Sequence, residues 1–295
     1  MTMRPDTRLR WILDTFSEQR RLHKGYGVGP TDLVLDVGSG QDPSPRANVL
    51  CDKFVADSTE RHGQAMFADR PFVIADVEAL PFADGAFDYA ICSHVLEHVA
   101  DPERATRELQ RVARRGYVET PSASWEKVAG FPFHRWMVSV HDGRLVFEAK
   151  SRPIVDPELR QWFGSMQQEL GIAERVWFGR RRAGVYTDLH WDGEIPVEVV
   201  GERTGDALFV SAEVGGADSE APNAPTRSLG SRLIDAWGQR LRRQSAVPWP
   251  RVRQLLRCPA CRGELNDVSG GGLSCSACGI GYETDATGRP VLLAV

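Results

Sequence analysis

The sequence predicts an α/β protein built on a largely parallel sheet, followed by a small metal-stapled module. From residue 31, short apolar runs ending in an acidic or small residue recur as LVLDVGSG (33–40), NVLCD (48–52), FVIAD (72–76), FDYAIC (87–92) and GYVETP (116–121). Such runs, alternating with helix-length segments, mark parallel strands buried on both faces. Four of the six cysteines fall between Cys258 and Cys278. That clustering reads as a metal site in a reducing compartment, because six cysteines are too few for a disulfide scaffold. The 295 residues are about twice the ~150 of an average domain, so two domains are expected. A composition of 42% hydrophobic and 26% charged residues excludes a collagenous or disordered chain.

Between Asp6 and Lys24, Leu9, Trp11, Ile12 and Phe16 recur at near-helical spacing and Gly25 follows as a stop, which predicts a helix that caps a sheet edge or lids a pocket. This segment is charged every few residues and lacks the apolar core of a secretory signal. No apolar run approaches the roughly 18–20 residues that span a bilayer, so a cytoplasmic protein is expected, at most peripheral to the inner face of the membrane. Among the connections, PERATRELQRVAR (102–114) is the clearest helix, with Asp101 as its N-cap and Pro102 in its first turn. RAGVYTDLHWD (182–192), PVEVVG (196–201) and ALFVSAEV (207–214) read as strands that complete the sheet, antiparallel at its edge. GGADSEAPNAPTRSLG (215–230) has almost nothing to bury and reads as a linker. Beyond it Leu229, Leu233, Ile234, Trp237 and Leu241 share one helical face, with Arg232, Arg240, Arg242 and Arg243 around the rest. The expected division is a first domain at 1–215, a linker and basic amphipathic helix at 216–250, and a cysteine module at 251–295.

In VLDVGSG a strand runs into Asp36, Gly38 and Gly40, so the backbone turns tightly where a nucleotide-like ligand can approach main-chain atoms. A dinucleotide fingerprint is excluded because Pro43 occupies the third glycine position, and a P-loop because Gly-Lys-Ser/Thr is absent. An acid before the glycine pair disfavours a pyrophosphate and suits a cationic or amino-bearing ligand. Asp52 closes the second run, where a carboxylate can accept two ribose hydroxyls, and Asp76 closes the third, where one can accept from an adenine amino group. One acid at a strand end is usually a turn residue. Three of them, the first joined to Gly-x-Gly, read as a site.

These residues resemble the class I S-adenosylmethionine-dependent methyltransferases, especially the subgroup that includes the quinone-biosynthesis methyltransferases. DVGSG (36–40), Asp52 and the block ADVEALPFADGAFDYAICSHVLEHVADP (75–102) carry the resemblance, which covers roughly residues 30–120. It implies a Rossmann-like methyltransferase fold with a mostly parallel seven-stranded sheet and S-adenosyl-L-methionine as cofactor. Asp36, Gly38 and Gly40 would meet the methionine part, Asp52 the ribose, and Asp76 with Val77 the adenine, with Ser93 on the cofactor side after strand four. Only eleven residues, Gln41 to Cys51, separate Gly40 from Asp52, and Pro43 and Pro45 are among them. A loop is therefore expected in place of the helix that ordinarily follows the glycine turn.

Methyl transfer from a sulfonium is an in-line displacement at an already activated carbon, so a protein contributes proximity, alignment and sometimes a base. His94, directly after strand four, has the proton chemistry to deprotonate a hydroxyl nucleophile and is the first candidate base. His98, with Glu97 beside it, is expected in the following helix. In similar quinone methyltransferases this segment can approach a divalent metal, but Ser93 or His94 replaces the first acid of that pattern, which argues against a catalytic metal. FHRWMVSVHDGR (133–144) brings His134, Arg135, Trp136, His141 and Asp142 into one insertion, where similar enzymes line the acceptor site. His134 is the second candidate base. No Asn-Pro-Pro-Tyr-type run follows strand four, which weakens amine methylation of nucleic-acid bases.

Cys258-Pro-Ala-Cys261 and Cys275-Ser-Ala-Cys278 give two C-x2-C pairs with thirteen residues between them. Four thiolates on two knuckles make a closed tetrahedral zinc site, which argues for structure rather than catalysis. A segment of about 45 residues is small for a hydrophobic core alone, so the metal would supply much of its folding free energy. From LLRCPAC to PVLL the segment also resembles a zinc-ribbon family whose best-known member is the activator subunit of tRNA and protein methyltransferases. In that family the ribbon stabilises its partner by strand pairing and by covering apolar surface. The resemblance implies a ribbon docked on its own catalytic domain, kept close by the linker.

The chain carries 36 Lys+Arg against 40 Asp+Glu, net −4. Thr226–Arg262 holds nine Arg and one Asp, net +8, which leaves −12 for the remainder. The basic arm is expected to lie on the acidic catalytic domain. An anionic membrane surface or lipid-linked substrate comes next, and nucleic acid last, because no aromatic-rich basic strand set is present. The expected activity is O- or C-methylation of a small-molecule, carbohydrate-like or lipid-linked acceptor. The alternatives are an RNA or protein methyltransferase and a non-catalytic cofactor-binding scaffold. Cys51 and Cys92 are expected to be buried thiols near strand ends.

Overall fold

The computed structural model of the chain describes residues 27–41, 43–55, 65–131, 133–150, 182–201, 247–269 and 271–294, together with Glu158, Gln161 and Ser165. The expected N-terminal helix, the ALFVSAEV strand, the linker and the basic amphipathic helix lie outside the described residues.

Strands β1 (Val34–Val37), β2 (Val49–Asp52), β3 (Phe72–Ala75), β4 (Phe87–Ser93) and β5 (Ala113–Pro121) form where the apolar runs fall. Their side chains alternate between two cores. Leu35, Cys51, Val73, Ala90 and Val118 belong to one, and Val34, Leu50, Ile74, Tyr89 and Tyr117 to the other. The five pair in parallel in the order β3-β2-β1-β4-β5. The order reverses between β1 and β4, so the ligand crevice of such a sheet opens at the carboxyl ends of those strands. Helix α1 (Pro102–Val112) connects β4 to β5, with the Asp101 side chain accepting from Arg104 N at 3.0 Å as its N-cap. It stops two residues earlier than its sequence pattern suggests, because Ala113 already begins β5. Helix α2 (Ala123–Ala129) follows β5, capped by Ser122.

The one-turn helix α3 (Arg182–Val185) leads into β8 (Tyr186–Asp192), which closes one edge antiparallel to β5, as expected. The PVEVVG strand does not join this sheet. As β9 (Val197–Val200) it pairs with β7 (Arg144–Ala149), which pairs in turn with β6 (Trp136–His141) in a separate three-stranded sheet. The chain turns away from β8 at Gly193 (φ 74°). It buries Ile195, whose N–H donates to Gln110 Oε1 of α1 at 2.9 Å, so the chain crosses over α1 instead of running beside β8.

The seventh strand comes from the far end of the chain. The cysteine module contains helix α4 (Trp249–Leu255) and the antiparallel strands β10 (Leu265–Asp267), β11 (Leu273–Cys275) and β12 (Gly281–Tyr282). Its last strand, β13 (Val291–Leu292), pairs in parallel with β3, Val291 opposite Ile74 and Leu292 opposite Ala75. Among the described residues the order is β13-β3-β2-β1-β4-β5-β8, seven strands of which β8 alone is antiparallel. Val252, Leu256, Leu265, Leu273, Tyr282 and Leu292 join the core on that face of the sheet. Arg257 N donates to Pro81 O at 2.9 Å, and Ala83 N to Leu255 O at 2.8 Å. The module is thus packed onto its own α/β domain. No helix among the described residues is long and apolar enough to cross a membrane.

Candidate functional site

At the carboxyl end of β1, Gly38 and Gly40 take positive φ (70° and 54°), and Gly38 N and Ser39 N both donate to Cys51 O, at 2.8 and 3.2 Å. A larger residue at position 38 is excluded on two counts. The backbone is left-handed, and a Cβ would stand 2.1 Å from Val95 Cγ2. The loops after β1 and β4 therefore touch where the strand order reverses. Asp36 is buried and its Oδ2 accepts from Ser44 N at 2.7 Å. That bond ties down the loop which, as the two prolines foretell, replaces a helix before β2. Asp52 accepts from Gly40 N on one oxygen and Phe54 N on the other, both at 3.0 Å, which fixes its carboxylate at the end of β2. Asp76 caps the 3-10 turn Val77–Ala79 through Glu78 N at 2.9 Å and pairs with Lys53 Nζ at 2.7 Å. Val77 is buried beside it.

Ser39, which the sequence reading passed over, is the informative member of this rim. Its Oγ is buried and has no hydrogen-bond partner among the described residues. A buried hydroxyl left unsatisfied costs about 1–3 kcal/mol, which a ligand seated in the loop would recover. Its signal in the sequence is its position, between the two turn glycines.

Ser93 ends β4, with its Oγ 3.4 Å from Glu119 Oε1 of β5. His94 follows in left-handed backbone (φ 57°), a conformation that costs a non-glycine residue about 1–3 kcal/mol and is found preferentially at functional sites. Its N–H donates to Glu119 O at 2.8 Å. The half-exposed ring stands between two buried carboxylates, with Nε2 3.4 Å from Glu119 Oε1 and Nδ1 3.6 Å from Glu97 Oε1. Glu119 also accepts from the Tyr117 hydroxyl. Burial pushes the Glu97 carboxyl up, but the facing imidazoles of His94, His98 and His134 outweigh it and hold the group at about 2.

His98 does not lie in a helix. Residues 96–98 form a single turn with His98 N on Val95 O at 3.0 Å. Glu78 Oε1 takes Ala100 N and Asp101 N, and the residue before a proline disfavours helical backbone, so α1 begins only at Pro102. His134 is buried against it, the two rings meeting edge-on at 4.6 Å. His134 Nδ1 is 2.7 Å from Glu126 Oε2 of α2, and Glu126 Oε1 also accepts from Lys150 Nζ at 2.6 Å and Phe131 N at 3.1 Å. Burial makes both His134 and Lys150 less basic, with Glu126 opposing the shift. Glu97, His98 and His134 each bring one ligand atom to within 4.8 Å of the others. Two imidazoles and a carboxylate are a donor set that divalent ions accept, and the third donor comes from the segment before β6 rather than from positions 93 or 94. His141 and Asp142 are instead exposed at the β6–β7 turn, and Trp136 Nε1 donates to Val99 O at 2.7 Å.

Cys258, Cys261, Cys275 and Cys278 also converge to within 4.8 Å. Cys258 Sγ is 3.7 Å from Cys278 Sγ, and Cys261 Sγ is 3.4 Å from Cys275 Sγ. Those spacings are too long for a disulfide, and near the ~3.8 Å that a tetrahedron of ~2.3 Å zinc–sulfur bonds gives. Cys51 and Cys92 are buried within β2 and β4, and burial raises both thiols well above their ordinary range.

Residues 35–118 match the family of methyltransferase domains, and residues 250–282 the Trm112p-like protein family. A demethylmenaquinone methyltransferase of Renibacterium salmoninarum is 35% identical over 103 residues, which cover 33% of this chain and 44% of that protein. An uncharacterized methyltransferase of Mycobacterium sp. (strain JLS) is 46% identical over 88 residues, 28% of this chain and 35% of that protein. The chain thus spans less than half the length of these relatives. Among solved structures, a chain from the complex between the Haloferax volcanii Trm112 methyltransferase activator and a candidate methyltransferase is 20% identical with a TM-score of 0.27, covering 40% of this chain and 60% of that one.

Proposed function

We propose that the chain is an S-adenosylmethionine-dependent methyltransferase acting by O- or C-methylation on a small or lipid-linked acceptor, with a zinc ribbon built into its sheet edge. The observation that carries this reading is the rim at the carboxyl ends of β1 to β4, where a buried Ser39 hydroxyl with no partner among the described residues sits in a glycine turn that admits no Cβ. The residues present fit the cofactor. Asp36, Gly38, Ser39 and Gly40 would hold its amino-acid end, Asp52 its ribose, and Asp76 and Val77 its adenine, with Ser93 beside them. When bound, it supplies a methyl group activated by a sulfonium.

His94 is the proposed base. It is exposed enough to meet an acceptor, and the imidazolium formed when it takes a proton faces the carboxylates of Glu119 and Glu97. His134, hydrogen-bonded to Glu126, packs edge-on against His98 and holds that ring in place. The four cysteines hold zinc, and the proposed division is 1–215, 216–250 and 251–295, with β13 of the last completing the sheet of the first. The relatives named demethylmenaquinone methyltransferase support a small, membrane-derived acceptor over RNA or protein.

Incubation of the zinc-loaded chain with methyl-labelled cofactor and cell extract, fractionated by class, should place label in lipid or small molecules. Label in RNA or protein would overturn the acceptor assignment, and absence of cofactor binding would overturn the enzyme assignment. His94→Ala should lower turnover about 100-fold while cofactor affinity stays within about twofold. Unchanged turnover removes His94 from the mechanism.

A further inference from the structure

Between helix α1 and the first cysteine knuckle lies a cleft of about 700 Å³ that none of the preceding chemistry uses. Arg104, Arg107 and Arg111 line one wall from a single face of α1, and Arg262 lines the other beside Pro259 and Ala260. These cations are not equivalent. Arg111 is fully engaged, by Glu108, Asp84 and the carbonyls of Leu80 and Phe82. Arg104 commits its Nε to Glu78 O at 2.8 Å. Arg262 reaches Glu108 Oε1 at 3.2 Å from a side chain that is 61% exposed, on a left-handed backbone (φ 64°). Arg107 makes no hydrogen bond or ion pair with the described residues. The two acids of the lining are already occupied. Glu78 accepts two backbone N–H groups, and Glu108 is shared by Arg111 and Arg262. The cleft therefore keeps a surplus of positive charge, with guanidinium donors available on both walls.

We propose that this cleft binds a phosphate group carried on a larger ligand. Planar guanidinium forks converging from opposite walls suit a tetrahedral oxyanion, which offers oxygens in several directions, better than a carboxylate, whose two oxygens share one plane. The volume exceeds that of phosphate alone and leaves room for the body of the ligand. One wall belongs to the cysteine knuckle, so the ribbon contributes a binding surface as well as a strand.

Calorimetric titration of the zinc-loaded chain with pyrophosphate and with glycerol 1-phosphate, at two salt concentrations, should show saturable binding that weakens with salt. Arg107→Gln, which removes no contact within the described fold, should weaken it at least tenfold, and Arg262→Gln likewise. Arg251→Gln, on α4 outside the cleft, should leave it within twofold. Vesicles containing phosphatidic acid separate the sources: binding that depends on Arg107 assigns a lipid headgroup, and its absence alongside binding of the soluble probes assigns a soluble phosphoester. No saturable binding of either soluble probe, or an Arg107→Gln affinity equal to wild type, overturns the proposal.

Discussion

Replacing Gly38 by Ala tests whether the loops after β1 and β4 are coupled through one close contact. The substitution forces an L-residue into φ 70°, at about 1–2 kcal/mol. It also places a methyl group 2.1 Å from Val95 Cγ2, closer than any real contact. Overpacking of this kind costs about 1–3 kcal/mol, giving about 2–5 kcal/mol at the rim of the site. Since about 1.4 kcal/mol is tenfold in an equilibrium constant, affinity should fall at least about fivefold even if the loops absorb half of the strain. Val95→Ala removes the clashing methyl and leaves its Cβ at 3.4 Å, an ordinary contact. The double variant should therefore recover the packing part of the loss but not the backbone part. Titration of all four proteins with S-adenosylhomocysteine, alongside thermal unfolding, measures the cycle. Equal binding by Gly38→Ala and wild type, or no recovery in the double variant, would refute the coupling.

Other perturbations separate the remaining contacts. Leu292→Ala empties a fully buried position on β13 and should cost about 2–5 kcal/mol, accelerating amide exchange along Phe72–Ala75; unchanged protection there would show that β13 does not hold the edge. Strong chelation should lower the melting temperature and expose the same β3 amides, and an unaffected melting profile would contradict a structural zinc. Partial desolvation pushes the Asp285 carboxyl up, but bonds from Arg289 and Thr287 hold it far below its ordinary range. Its contribution to stability is therefore complete above about pH 4 and is lost as pH falls further, so melting between pH 2.5 and 7 should fall at the acid end in wild type and flatten in Asp285→Asn. Glu126→Gln leaves buried Lys150 without its carboxylate and should cost about 3–5 kcal/mol, with thermal unfolding expected to show recovery when Lys150→Met is added.

What the sequence revealed follows from where the information resides. Strands β1 to β5 were legible because burial on both faces demands continuous apolar runs, and α1 because Asp101 and Pro102 mark its start. Asp52 and Asp76 were legible because each ends its own run, and Asp36 because it stands just before the glycine pair. Partnership was not. The half-exposed alternation of β9 announces a strand but not which sheet receives it, and the apolar PVLL segment announces a strand without naming β3. The placement of His94 beside Glu119 depends on β4–β5 register, which sets Ser93 opposite Glu119. Glu126, Lys150 and His134 meet only after α2 and the β6–β7 hairpin fold against each other.

The parallel pairing of β13 with β3 also sets a schedule for synthesis. Val291 lies more than 200 residues after its partner Ile74. At about 5–20 residues per second, the outer edge of β3 waits roughly 10–40 s for the strand that covers it. During that interval an apolar strand with unpaired N–H and C=O groups is a template for other chains. The supply of metal to the nascent cysteine knuckles would then govern the yield of native protein, by deciding how soon the edge is closed.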